Sequence, residues 1–295
     1  MSAQNFNPMA SGNCRLSVGT SGYSYPEWIP AGFYPPGTPA SQMLAAYGRI
    51  FPVTELNYTW YRMPVADALE RMRRKVPQTF HFAAKLTRTL THEIEPDQWR
   101  AQAAAYRAGI APLRQTGQLT AVLVQFPPRF RREREQRLYL GALLDELQGL
   151  PLAVEFRHAS WVNVRVFDEL ARRQVTLVTV DVPDLPGLFP PLEVVTNSNL
   201  FYIRFHGRNT KGWRSGNMQQ QFDYDYSAAE LNPWVSGRIE TMVQQARAGL
   251  IFFNNHVRAQ APRNALALMD QLVQRGLLSA EAGRKNPEAR SQEPE

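Results

Sequence analysis

The chain has 295 residues, 44% hydrophobic, 11% aromatic and 20% charged, a globular make-up that excludes the aromatic-poor, charge-rich composition of a disordered chain. No apolar run nears the roughly 20 residues of a membrane span and the N-terminus (MSAQNFNPMASGNC) lacks a secretory pattern, so a cytoplasmic protein without a membrane partner is expected. The lone Cys14 excludes an internal disulfide and a thiolate metal cluster, while Lys and Arg exceed Asp and Glu by 33 to 26, a net charge of +7 that favours anionic partners.

From residue 15 onward, short β-rich runs alternate with amphipathic stretches. Strands are predicted at 15 to 20 (RLSVGT), 53 to 57 (VTELN), 80 to 85 (FHFAAK) and 121 to 126 (AVLVQF), then at 152 to 157 (LAVEFR), 176 to 181 (TLVTVD), 200 to 206 (LFYIRFH) and 250 to 254 (LIFFN). Most are near-continuous apolar runs ending on a polar residue, as parallel strands covered on both faces require. Between them, Val65, Ala68, Leu69 and Met72 form one apolar helical stripe, and Leu140, Leu143, Leu144 and Leu147 form another. Residues 182 to 199 are Pro-rich and predict a crossover without a full helix. Ser227 with Glu230 is a capping box opening a helix whose apolar face is Leu231, Trp234, Val235, Ile239 and Met242. A last helix is predicted over 262 to 279.

Eight βα units over residues 15 to 280 match an α/β fold of the single (β/α)8 TIM-barrel type, one domain flanked by disordered tails over 1 to 14 and 281 to 295. The rival, an open doubly wound sheet, is weakened because neither G-x-G-x-x-G nor G-x-x-x-x-G-K-[ST] follows a strand.

In a barrel the chemistry sits at the C-terminal strand ends. Period-2 alternation places a polar ring there: Glu55 and Asn57, Lys85, Gln125, Glu155 and Arg157, Asp181, Arg204 and His206, and Asn254, with Asn255 beside it. Unsatisfied buried polar groups cost about 1–3 kcal/mol each, so these residues either pair with one another as a closed network or meet a ligand. Glu155 is the candidate general acid or base, with Arg157 near it and His158 facing away; His206 is the candidate proton shuttle. Glycosidase chemistry would need Asp181 or Glu55 as a second carboxylate. Lys85 is either a desolvated nucleophile or, the favoured reading, an electrostatic contact to phosphate or carboxylate.

Gly19 and Gly22 flank Ser21 where a ligand would approach the backbone, or simply make a tight turn. Loop aromatics Tyr23, Tyr25, Trp28, Trp60, Tyr61, Trp161 and Trp213 either stack a sugar or base or seal the barrel top. Arg62, Arg88, Arg208, Lys211 and Arg214 follow strands and predict a mouth that attracts anions, whereas the mixed-sign run from Arg129 to Arg137 reads as a solvated face opening the fourth helix. No motif requires a cofactor. The five histidines have no H-x-H or H-E-x-x-H spacing, and a single divalent cation on Glu155, Asp181 and Asn254 is the chemically simpler metal alternative. There is no G-x-S-x-G elbow for a serine nucleophile.

The segments GTSGYSYPEW (19 to 28), FYPPG (33 to 37), VTELNYTWYRMP (53 to 64), FHFAAKLTRTLTH (80 to 92), VLVQFPPRF (122 to 130), VEFRHASW (154 to 161), RFHGR (204 to 208) and IFFNNH followed by APRNAL resemble the domain-of-unknown-function 72 (YecE-like) family, in order and over nearly the whole chain. The resemblance implies a TIM barrel and no established reaction. Tyr23 stands where family members often carry Trp, and Tyr58-Thr59-Trp60 departs from the smaller residues usual there. The functional expectation is an enzyme, of hydrolase or lyase type, binding a phosphate-bearing or other anionic small molecule at the mouth. The alternatives are a nucleic-acid-binding or phosphodiester-processing protein and a non-catalytic binding barrel.

Overall fold

The computed structural model describes residues 14–279, so the tails expected over 1 to 14 and 281 to 295 lie outside the described residues apart from Cys14. Eight parallel strands close into a barrel in sequence order: β1 (Arg15–Ser21), β2 (Val53–Leu56), β3 (His81–Lys85), β4 (Leu119–Gln125), β5 (Leu152–Glu155), β6 (Thr176–Asp181), β7 (Phe201–Phe205) and β8 (Ala248–Phe253). β1 pairs with both β2 and β8, which leaves no open edge. All eight predicted strands are present, within one or two residues at each end. Asn57, Arg157, His206 and Asn254 fall just past their strands, where the chain leaves the ladder.

Helices α1 (Ala40–Ile50), α2 (Tyr58–Tyr61), α3 (Ala66–Arg73), α4 (Trp99–Gln115), α5 (Arg134–Glu146) and α6 (Val164–Arg172) fill the first five crossovers. The Leu140, Leu143 and Leu144 stripe of α5 is buried, each such side chain adding about 1.5–3 kcal/mol of burial. Between β6 and β7 there is no helix. Extended chain covers β6 instead: Leu177 N donates to Thr196 Oγ1 at 2.8 Å and Thr179 Oγ1 to Leu192 O at 2.9 Å. After β7 come α7 (Met218–Gln221) and α8 (Ala228–Pro233), a π-helical turn (Trp234–Ile239) and α9 (Glu240–Val243), with the Ser227–Glu230 capping box formed as expected. The last helix, α10, runs Gln260–Gln274.

The strand registers fix which residues face the barrel axis. Ser21 pairs with Glu55, Glu55 with Ala83, Lys85 with Leu123, Gln125 with Glu155, Val180 with Arg204 and Arg204 with Phe252, so these share the inner face. Asp181 pairs with Phe205 and shares the outer face, contrary to its expected inward position. Gly19 is required by close approach: a Cβ there would lie 2.1 Å from Val53 O. The absent side chain lets Tyr47 OH reach between the strands, accepting from Thr20 N at 2.8 Å and donating to Val53 O at 3.0 Å.

Candidate active site

Beneath the mouth lies a buried layer of charge. Arg204, 1% exposed, donates from Nη2 to Glu55 Oε1 at 2.6 Å and from Nη1 to Glu155 Oε2 at 2.7 Å, and it reaches Ser21 Oγ at 3.3 Å. The second oxygen of Glu55 accepts from Tyr202 OH at 2.6 Å. The second oxygen of Glu155 lies 2.5 Å from Arg157 Nε, a charge contact poorly angled for a hydrogen bond, and 3.2 Å from His206 Nε2. Asn254 Nδ2 lies 3.1 Å from His206 Nδ1, while His206 Nε2 is 3.2 Å from both Glu155 Oε1 and Arg157 Nη2.

Burial alone would raise the Glu155 pKa, but Arg157, Arg204 and His206 outweigh it and hold the carboxyl well below the usual range. Burial and the neighbouring Arg157 push His206 down to about 3. Burial likewise works against the Arg204 cation, yet Glu155 and Glu55 hold its pKa above the ordinary value. At neutral pH the layer is thus an ionised carboxylate with no proton to donate and a neutral imidazole. Glu155 and His206 lie against Arg157 and Arg204, and in these states both are proton acceptors rather than donors.

Above this layer opens a cavity of about 910 Å³, near the upper end for small-molecule sites. Its lining includes Lys85, Arg129, Arg131, Arg157, Arg204 and Arg214 and, among the described residues, no Asp or Glu. Aromatic rings complete the walls: Tyr25, Trp60, Tyr61, Trp213 and Phe222, with His92, His158 and His256. Lys85 projects from the end of β3. Its Nζ lies 5.0 Å from the Trp60 ring centroid, and among the described residues no carboxylate is within ion-pair distance. Burial, together with Arg204, pulls its pKa down to about 7.

A family model described as "Protein of unknown function DUF72" matches residues 17–289. The chain belongs to the DUF72 family. It is similar to the UPF0759 protein YunF of Bacillus subtilis (strain 168), 28% identical over 271 residues, which cover 87% of this chain and 94% of that one. Among solved structures it is similar to a DUF72 family protein (TM1631) from Thermotoga maritima MSB8, with 33% identity, a TM-score of 0.79 and coverage of 88% of this chain and 99% of the other. A DUF72 family protein (EF0366) from Enterococcus faecalis V583 shares 26% identity at a TM-score of 0.78, covering 87% of this chain and 95% of that one.

The DUF72 barrel brings Asn57, Tyr61, Lys85, Gln125, Arg157, Arg204 and Asn254 to the cavity wall. Asn57 Oδ1 is buried there without a partner, whereas Gln125 Nε2 donates to Phe126 O at 2.7 Å. Glu155, His206 and Ser21 form the layer below. Other predicted residues serve the shell. Trp161 is stacked 4.4 Å from Phe156 and donates to Phe130 O at 2.7 Å. Tyr23 O accepts from Tyr34 OH at 2.6 Å, Asn255 ties Tyr224 to Asn264, and Arg62 is exposed away from the cavity. Asp181 is held on the outer face by Arg208 Nε at 3.0 Å. Glu155 and Asp181 therefore lie on opposite faces of the sheet, so the oxygen set considered for a divalent cation does not converge. Among the described residues no three His, Cys, Asp or Glu gather in a metal-holding arrangement.

Two expectations about neighbours also change. His158, expected to face away, lines the DUF72 cavity because β5 ends at Glu155 and the chain then bridges to Leu188. Arg129 and Arg131 line the mouth because α5 starts only at Arg134, leaving them on the preceding loop. Tyr202 was missed altogether, although it shares the parity of Arg204 and His206 in LFYIRFH.

Proposed function

We propose that this DUF72 barrel is an enzyme acting on a small anionic substrate with a planar or ring portion, and that Lys85 is its reacting amine. The observation that carries the reading is a lysine with, among the described residues, no carboxylate within ion-pair distance, in a cavity whose described lining adds five arginines and no acidic residue. An amine titrating near 7 is half neutral at working pH, which suits proton abstraction or addition to a carbonyl. Arg129, Arg131, Arg157 and Arg214 supply the attraction for phosphate or carboxylate, and Trp60, Tyr61 and Trp213 supply flat surfaces for the remainder of the molecule. The lower layer supports this by fixing Arg157 and Arg204 in place.

The test is turnover and thermal-shift screening of phosphorylated and carboxylated compounds against the wild type and Lys85→Met. The variant should lose at least about 10²-fold in turnover while substrate affinity changes far less. A substrate turned over equally by both proteins would overturn the role of Lys85.

A second reading has its own support. Tyr61 is 51% exposed beside Trp60, and Arg129 and Arg131 are exposed on the same rim, an arrangement suited to a single-stranded phosphodiester. Oligonucleotide binding that falls steeply with salt would favour it over a small substrate. The non-catalytic barrel would suit a mouth closed by ion pairs; the pairs made by the cavity-lining Arg157 and Arg204 go to Glu55 and Glu155 in the layer below.

A further inference from the structure

On the outside of the barrel, between α5 and α6, lies a groove of about 220 Å³ that is separate from the mouth. Its floor is apolar, made by Leu140, Leu144, Val166 and Leu170 with Trp161 behind them. An enclosed apolar cavity of about 150 Å³ accommodates benzene, so this space suits one ring or a chain of about eight carbons. Gly141 helps to form the gap, since a Cβ there would meet nothing within 4 Å.

The rim is strongly cationic. Arg132, Arg137, Arg165 and Arg173 surround the groove against one carboxylate, Glu169. That carboxylate is already engaged by Arg172 at 2.7 Å and Arg173 at 2.6 Å. Among the described residues Arg132, Arg137 and Arg165 have no ion-pair partner, and Arg132 Nε is buried without a hydrogen bond. A neutral apolar guest would leave these cations unanswered, and a bare inorganic anion would leave the floor unfilled.

We propose that this groove is a binding site for a small amphipathic anion, a medium-chain or aryl carboxylate, with its apolar part on the leucine floor and its carboxylate on Arg132 and Arg165. The site is independent of the reaction proposed for the mouth.

Calorimetric titration of the full chain with octanoate at low, fixed ionic strength tests it, with octanol as the chain alone and acetate as the head alone. Octanoate should bind the wild type at least about tenfold more tightly than either control. Gly141→Leu, which fills the groove, and Arg165→Glu, on an exposed side chain, should each weaken octanoate about tenfold or more without lowering the melting temperature. Should Gly141→Leu melt early, Arg165→Glu decides alone. Octanol binding as tightly as octanoate, octanoate affinity unchanged by Arg165→Glu, or no octanoate binding at millimolar concentration would each overturn the proposal.

Discussion

Two charged layers lie one above the other in this barrel, and they solve opposite problems. In the lower layer, Glu55 and Glu155 are 0% exposed and every carboxylate oxygen has a partner. In the upper layer Lys85, Arg129, Arg131 and Arg214 face open space with, among the described residues, no carboxylate in the lining. Desolvated charge is retained below because it is neutralised internally, while the excess positive charge lies above, at the open mouth. Glu55 and Glu155 are the counter-ions that allow Arg204 to be buried.

The contrast predicts very different responses to mutation. Glu155→Leu should be the most damaging change, leaving Arg157 and Arg204 without a shared counter-ion and costing about 3–5 kcal/mol in urea unfolding. A loss below about 1 kcal/mol would mean that the layer is hydrated rather than dry.

His206 supplies the next effect. Its pKa falls from an ordinary 6.5 to about 3 in the fold, so between those values the unfolded chain binds the extra proton. Stability should decline as pH falls from 6.5 towards 3, by up to about 1.4 kcal/mol per pH unit in the steepest part. The depressed Glu155 adds to the loss in the acid end of this window. His206→Gln should flatten the upper part of the decline, which acid titration of the melting temperature would reveal.

Lys85 gives a smaller effect, full below about pH 7 and relieved between pH 7 and 10.5. It is protonated up to about pH 10.5 in the unfolded chain but only up to about 7 in the fold, so wild-type stability rises with pH across that interval. Lys85→Met should therefore be more stable than the wild type near pH 6, by about 1–2 kcal/mol after discounting for its solvent-facing side, with the advantage shrinking towards pH 10. The smallest change is expected from Arg131→Ala at the exposed rim. It should weaken phosphate binding by about 0.2–1 kcal/mol at low salt and by nothing measurable in high salt. An equally large effect at both ionic strengths would place Arg131 inside a desolvated contact.

The strands were legible because each is an apolar run closed by a polar residue, and the helix-free crossover was legible from its prolines. Alternation placed Glu55, Lys85, Gln125, Glu155 and Arg204 on the inner face because each strand carried enough polar contrast to set its parity. β6 (TLVTVD) is buried throughout, so nothing in it distinguishes the two faces, and Asp181 was placed inward. Its partner, Arg208, lies 27 residues away on another loop. Arg129, Arg131, Trp213 and Phe222 reach the cavity through loop paths that follow no period. The loops that carry them meet through contacts distant in sequence, such as Asp223 with Arg258 and Arg214 with Pro186, which no local pattern encodes.

The closed strand order has a consequence for chain connectivity. β1 and β8 are neighbours, Arg15 N donates to Arg247 O at 2.9 Å, and α10 returns alongside them to the end of the barrel where β1 begins. The first and last elements are therefore adjacent, and the eight-strand ring does not depend on which crossover happens to be cut. The β6–β7 connection, having no helix to disrupt and an exposed stretch at Ser198 and Asn199, is the natural alternative opening. A circular permutant joined across β1 and α10 and opened there should preserve every strand pairing, both charged layers and the mouth.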